Sequence, residues 1–197
     1  MPISPTFRPA TQDDSSHLAI LLDAASRRLV SWLWSRMAAP GQSWFEVGRE
    51  RIRTNKNGDS HYSNWQIAEA DGRILGGLNT YKIADPYDAG DLSGVPEVLH
   101  SIIELEALAA GAHFIQVASV FPEFRGQGVG AALLAKAEAI ARAAGSTRLA
   151  LLVESFNDGA LRLYLRSGFV EQARRPLKPT PLSDESGDFI LLVKELR

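Results

Sequence analysis

Three stretches of this 197-residue sequence predict an α/β chain. Residues 114–120 carry a buried-strand pattern, run through the glycine-rich Gly126-Gln127-Gly128-Val129-Gly130-Ala131, and continue into an alanine-rich helix ending near Ala144. Residues 65–70 and 73–81 flank Asp71-Gly72, a dipeptide suited to a type I′ turn, and so predict a hairpin. Residues 148–153 form a continuous apolar run, as expected of a strand covered on both faces.

The other elements follow in order. Residues 7–11 read as a first strand, with Asp13-Asp14 capping a helix. Leu18, Leu21, Leu22, Ala25, Leu29 and Trp32 recur at helical spacing until Ala39-Pro40-Gly41 ends the run. A second helix is predicted over 43–52 and a polar loop over 54–60. After the hairpin, residues 83–94 are a loop rich in Asp, Gly and Pro, and Pro96 suits the first turn of a helix reaching Leu108. The chain closes with a short helix over 157–167, a strand over 169–175, a proline-rich loop and a last strand over 189–196. No internal repeat or composition shift marks a boundary, so residues 1–197 are expected to form a single domain.

Charge and composition exclude several classes. The net charge of −2, with no block of like charges, argues against nucleic acid as a partner. With no cysteine, there is no disulfide, no thiolate metal site and no acyl-cysteine intermediate. No metal is expected. The N-terminus lacks a basic region followed by an apolar one, and no apolar stretch approaches membrane-spanning length. The expected location is the cytoplasm, without a membrane partner.

The glycine-rich turn carries the chemistry. A strand that feeds such a turn and opens a helix aims unpaired backbone N–H groups at an anion. Glycine lets phosphate oxygens approach because no Cβ intervenes, and Arg125 adds a fixed positive charge. A P-loop is excluded because no Gly-Lys-Ser/Thr run exists. Gly126, Gly128 and Ala131 formally satisfy the dinucleotide pattern G-x-G-x-x-A, but residues 122–125 separate them from the strand and too little chain follows for a second half-domain. The third possibility is R-x-x-G-x-G/A, matched by Arg125, Gly128 and Gly130. On that motif the chain resembles the GCN5-related N-acetyltransferases (GNAT). The segment from Asn157 to Phe169 looks like the family's second motif, N-x-x-A-x-x-x-Y followed by Gly-Phe, met here by Asn157, Ala160, Tyr164, Gly168 and Phe169. Asn157 suits a helix N-cap and Gly168 the left-handed residue after the helix.

The resemblance implies a central twisted sheet, mixed but mostly antiparallel, flanked by helices and splayed at the cofactor site. It implies acetyl-CoA as acyl donor, with the pyrophosphate on Arg125, Gly126, Gln127, Gly128, Val129, Gly130 and Ala131. The pantetheine arm would lie along Ser119 and Val120, the Val120 N–H polarising the thioester carbonyl, with an amide contact from Asn157. Tyr164 would touch the cofactor and protonate the leaving thiolate; the alternative is that it only packs. The amine must lose a proton, and Glu104 or Glu106 would accept it, at most one of them because a helix points them to different faces. His100 and His113 are weaker candidates.

The implied activity is acetyl transfer to a primary amine of a small molecule by direct attack on the thioester. The alternatives are a non-catalytic acyl-CoA-binding sensor and a peptide or protein N-terminal acetyltransferase. Trp32, Trp34, Trp44, Phe45, Asp85, Tyr87, Asp88 and Asp91 either line an acceptor pocket for a cationic amine or serve as core and turn residues. A homodimer is compatible with the sequence.

Overall fold

The sheet of this computed structural model, which describes residues 3–196, is open and mixed, with seven strands in the order β1-β2-β3-β4-β5-β7-β6. The strands are β1 (Thr6–Pro9), β2 (Trp65–Ala70), β3 (Arg73–Lys82), β4 (His113–Val120), β5 (Arg148–Glu154), β6 (Val170–Pro176) and β7 (Asp188–Glu195). The helices are α1 (Ser15–Ala25), α2 (Leu29–Ser35), α3 (Trp44–Thr54), α4 (His100–Leu108), α5 (Val129–Ala143) and α6 (Asp158–Arg166). Of the registers described, β1–β2, β2–β3, β5–β7 and β6–β7 are antiparallel and β4–β5 is parallel.

Packing divides the chain into two compact units, whose limits fall inside β4 and inside α5. The first comprises the chain up to Thr80, Val117–Leu133 and Thr180–Ser183. Its core is built from Leu18, Leu21 and Leu22 of α1, Ile52 of α3, Trp65 and Ile67 of β2, and Val117 of β4. Helix α1 is locked at its start by Asp14, which accepts hydrogen bonds from the Thr11 N–H at 2.7 Å and from Arg8 at 2.8 Å. Helix α3 begins with a reciprocal cap: the Glu46 N–H donates to Ser43 Oγ and the Ser43 N–H to Glu46 Oε2. The Asp71-Gly72 turn has φ of +49° and +70°, as a type I′ turn requires.

The second unit comprises Tyr81–Gln116, Leu134–Pro179 and the chain from Asp184 onward. Leu105 and Ala109 pack with Ile83, Phe114, Ala150, Leu191 and Val193. The parallel ladder between β4 and β5 runs from His113↔Leu149 to Ile115↔Leu151 and stops, although β4 continues to Val120.

Two elements differ from the sequence expectation. The helical spacing from Leu18 to Trp32 spans two helices, because Arg27 and Arg28 adopt φ of +48° and +68°. The break is held by side chains that compete for the backbone: Asp23 Oδ1 accepts from the Ser31 N–H at 3.0 Å, and Ser26 Oγ accepts from the Val30 N–H at 3.3 Å. Pro96 leads into a short 3-10 turn, Glu97–Leu99, before α4 begins at His100.

Candidate active site

The phosphate-type turn belongs to the first unit. The Phe121 N–H donates to Leu75 O at 2.9 Å, and Pro122–Phe124 then form a 3-10 turn. Phe124 is buried under the Arg73 guanidinium, which lies 4.7 Å from its ring centroid. Burying Phe124 pins the approach and leaves Arg125 and Gly126 exposed. Gly126 and Gly128 have φ of +73° and +89°, in the left-handed region that favours glycine, and a Cβ on Gly126 would meet no atom within 4 Å. The Ala132 N–H donates to Gly128 O at 3.1 Å as the first i→i−4 bond of α5. The N–H groups of Val129, Gly130 and Ala131 precede that bond and have no acceptor within the helix. Two side chains brace the turn: Arg125 Nε donates to Val120 O at 3.1 Å, and Gln127 Nε2 to Glu123 O at 2.8 Å. Ser119 is buried, and its carbonyl faces β3 so closely that a Cβ on Gly76 would come within 2.3 Å.

The second unit holds the other motif. Asn157 Oδ1 accepts from the Ala160 N–H at 3.4 Å at the start of α6, and Gly168 ends the helix with φ of +89°. Tyr164 leans on Phe169, with ring centroids 6.0 Å apart. Burial and the negative charge of Glu154 push its hydroxyl pKa up to about 12, so the phenol keeps its proton at neutral pH. Glu154 is itself buried at the end of β5. Sequence reasoning did not single it out: it follows an apolar run, and nothing in the spacing says that a carboxylate there turns inward.

Glu104 and Glu106 occupy different environments on α4. Glu104 is exposed and pairs with Arg175 at 3.0 Å on the surface. Glu106 is half-buried and accepts hydrogen bonds from two phenols, Tyr81 at 3.0 Å and Tyr87 at 3.3 Å. His100 Nε2 lies 2.9 Å from Val95 O. His113 is buried with neither ring nitrogen hydrogen-bonded, and burial together with the charge of Lys82 lowers its pKa below the ordinary histidine value.

Trp32, Trp34, Trp44, Phe45, Asp88 and Asp91 have partners within the protein. Trp34 is buried and stacks on Trp44 at 6.3 Å, and Trp44 meets Phe45 edge-on at 5.8 Å. Trp32 carries the Arg36 guanidinium over its ring. Asp88 accepts from the Gly90 N–H, and Asp91 from the Ser93 N–H, both at 2.9 Å, as turn-forming aspartates do. Tyr87 is tied to Glu106.

The sequence matches the model of the acetyltransferase (GNAT) family over residues 27–169, a span that includes both the glycine turn and the α6 motif. The chain belongs to the GNAT family. GNAT enzymes use acetyl-CoA. No curated protein matches the sequence. Solved structures share the fold at low identity. An N-acetyltransferase from Staphylococcus aureus superposes with a TM-score of 0.63 at 16% identity, over 99% of this chain and 100% of that one. A ribosomal-protein-alanine N-acetyltransferase from Brucella melitensis gives 0.61 at 20% identity, over 97% and 99%. The yncA protein of Salmonella typhimurium, solved with its cofactor acetyl-CoA, gives 0.58 at 18% identity, over 99% and 95%.

The GNAT turn of this chain fits the cofactor's pyrophosphate: Gly126 and Gly128 are exposed, open space lies over Gly126, and the helix-start N–H groups precede the first helical bond. Among the described residues, no group of three or more His, Asp or Glu side chains is placed to hold a metal ion. No helix among them is long and apolar enough to cross a membrane.

Proposed function

We propose that this GNAT chain transfers the acetyl group of acetyl-CoA to a primary amine of a small molecule, by direct attack of the amine on the thioester. The observation that carries the reading is the exposed turn at residues 126–131, with its two left-handed glycines at the start of α5. Backbone N–H groups of this turn and the positive end of the helix dipole hold the pyrophosphate, with Arg125 at the mouth. Ser119 and Val120 receive the pantetheine arm, and Asn157 contributes its amide.

When bound, acetyl-CoA supplies an activated acyl group whose sulfur departs as a thiolate. The Val120 N–H stabilises negative charge on the carbonyl oxygen. Tyr164 is the proton donor to the sulfur: its phenol is protonated at neutral pH, and the phenolate left by the transfer regains its proton from solvent. Glu106 takes the ammonium proton, directly or through water. It is favoured over Glu104 because two phenolic O–H groups fix its carboxylate, whereas Glu104 is spent on an exposed ion pair. The absence of cysteine supports direct attack over an acyl-enzyme route.

A thiol-release assay with acetyl-CoA tests this reading against polyamines, aminoglycosides, amino acids and peptides. Turnover with one of the small amines, and none with peptides, is expected. Turnover confined to peptides would move the acceptor to a protein N-terminus. Saturable binding of acetyl-CoA with no turnover on any amine would favour a sensor.

A further inference from the structure

We propose that the backbone N–H of Ile3 is a positioning group for the phosphate-binding turn: by holding the Gln127 carbonyl, it aims the Gly128 N–H at the cofactor's pyrophosphate. This inference rests on the reading of residues 126–131 as the pyrophosphate site.

The Ile3 N–H donates to Gln127 O at 2.9 Å. A trans peptide unit is planar, and its C=O and N–H point in opposite directions. Drawing the Gln127 carbonyl toward Ile3 therefore sends the Gly128 N–H the other way, away from the N-terminal segment. The donor is anchored close by, because β1 begins at Thr6 and pairs there with Glu69 of β2. Pro5 between them has a fixed φ, which limits the slack.

The need for such a clamp follows from the glycines. Gly126 and Gly128, on either side of Gln127, permit the close approach of an anion but also leave the backbone free to turn. Rotation about ψ of Gln127 and φ of Gly128 inverts the intervening peptide unit with no Cβ at residue 128 to oppose it. Inverted, the unit would present a carbonyl oxygen where the N–H had been, and attraction for phosphate would become repulsion. The bracing side chains do not choose between the two orientations. Gln127 Nε2 holds Glu123 O, and Arg125 Nε holds Val120 O, and neither bonds the Gln127–Gly128 peptide. The Ile3 N–H does.

Ile3→Pro removes this donor, and Ile3→Ala retains it. A chain beginning at Ser4 removes the donor without adding a proline. Acetyl-CoA affinity is measured by titration calorimetry, and steady-state constants with acetyl-CoA and with S-acetylpantetheine, a donor lacking the pyrophosphate. Loss of one oriented N–H should weaken acetyl-CoA binding about tenfold in the proline variant and the shortened chain, raising KM and leaving kcat unchanged. The alanine variant should restore wild-type affinity. KM for S-acetylpantetheine should be the same in all four proteins. Wild-type affinity in the proline variant and the shortened chain would overturn the inference. So would an equal loss in the alanine variant, or an equal loss with S-acetylpantetheine. Failure of the wild-type protein itself to bind acetyl-CoA would strike down the cradle reading, and this inference with it.

Discussion

Tyr164 is a phenol made harder to ionise by burial and by Glu154, and this makes it a reservoir of a proton rather than a base. Tyr164→Phe keeps the ring on Phe169 and removes only the hydroxyl. It should lower kcat by roughly ten- to a thousand-fold, with acetyl-CoA affinity little changed, in pre-steady-state and calorimetric measurements. An unaltered kcat with chemistry rate-limiting would reduce Tyr164 to a packing residue. Glu106→Gln should remove or shift the acidic limb of the kcat/KM pH profile, with partial rescue at high pH where more amine is already unprotonated. Glu104→Gln should stay near wild type, since it breaks only an exposed pair with Arg175. His113 titrates in the opposite sense to a salt-bridged histidine. Its pKa is lowered in the folded protein, so the unfolded chain binds the extra proton first as pH falls below about 6.5. Stability should therefore decline with acid from that point, and His113→Gln should flatten this part of the denaturation profile.

Helix α1 depends on its first turn. Asp14 accepts from both the Thr11 N–H and Arg8, and its pKa is lowered from 3.8 to about 2, chiefly by the Arg8 hydrogen bond. The folded form thus holds the ionised carboxylate, and this stability is present above the ordinary carboxylate pKa and lost as pH falls toward 2. Asp14→Asn should cost about 1–2 kcal/mol near neutral pH, discounted for the partly exposed guanidinium, and less in strong acid. The sequence placed a cap at Asp13-Asp14, but the Asp14 side chain accepts from Thr11 and not from an N–H of α1. The Asp71-Gly72 turn and the Asn157 and Gly168 ends of α6 were legible in the sequence, because each is a local event between neighbouring residues. The break between α1 and α2 was not. Leu18 through Trp32 keep helical spacing across it, and the left-handed Arg27 and Arg28 have no local signature. Tertiary packing and the Asp23 and Ser26 side chains decide that segment.

Across the chain, the strand–turn–helix at 113–143 carries the glycine turn of the candidate site. The family motifs were readable because the turn needs glycine at left-handed positions, and few residues replace it there. The environment of the carboxylates was not readable. Glu104 and Glu106 sit two residues apart in sequence, and distant partners distinguish them: Arg175 of β6 for Glu104, and Tyr81 and Tyr87, from β3 and the loop after it, for Glu106. Ile3 gave no signal either, since a backbone donor carries no side-chain signature. The central claim, that the turn at 126–131 binds acetyl-CoA, is tested most directly by the ligand-induced rise in melting temperature of wild type and Gly128→Val, each against its own ligand-free value. Acetyl-CoA should raise the wild-type melting temperature by mass action. The valine variant should lose most of that rise, because a side chain then stands where phosphate must approach the backbone. An equal rise in the variant, or a larger wild-type response to a nicotinamide dinucleotide, would contradict the assignment.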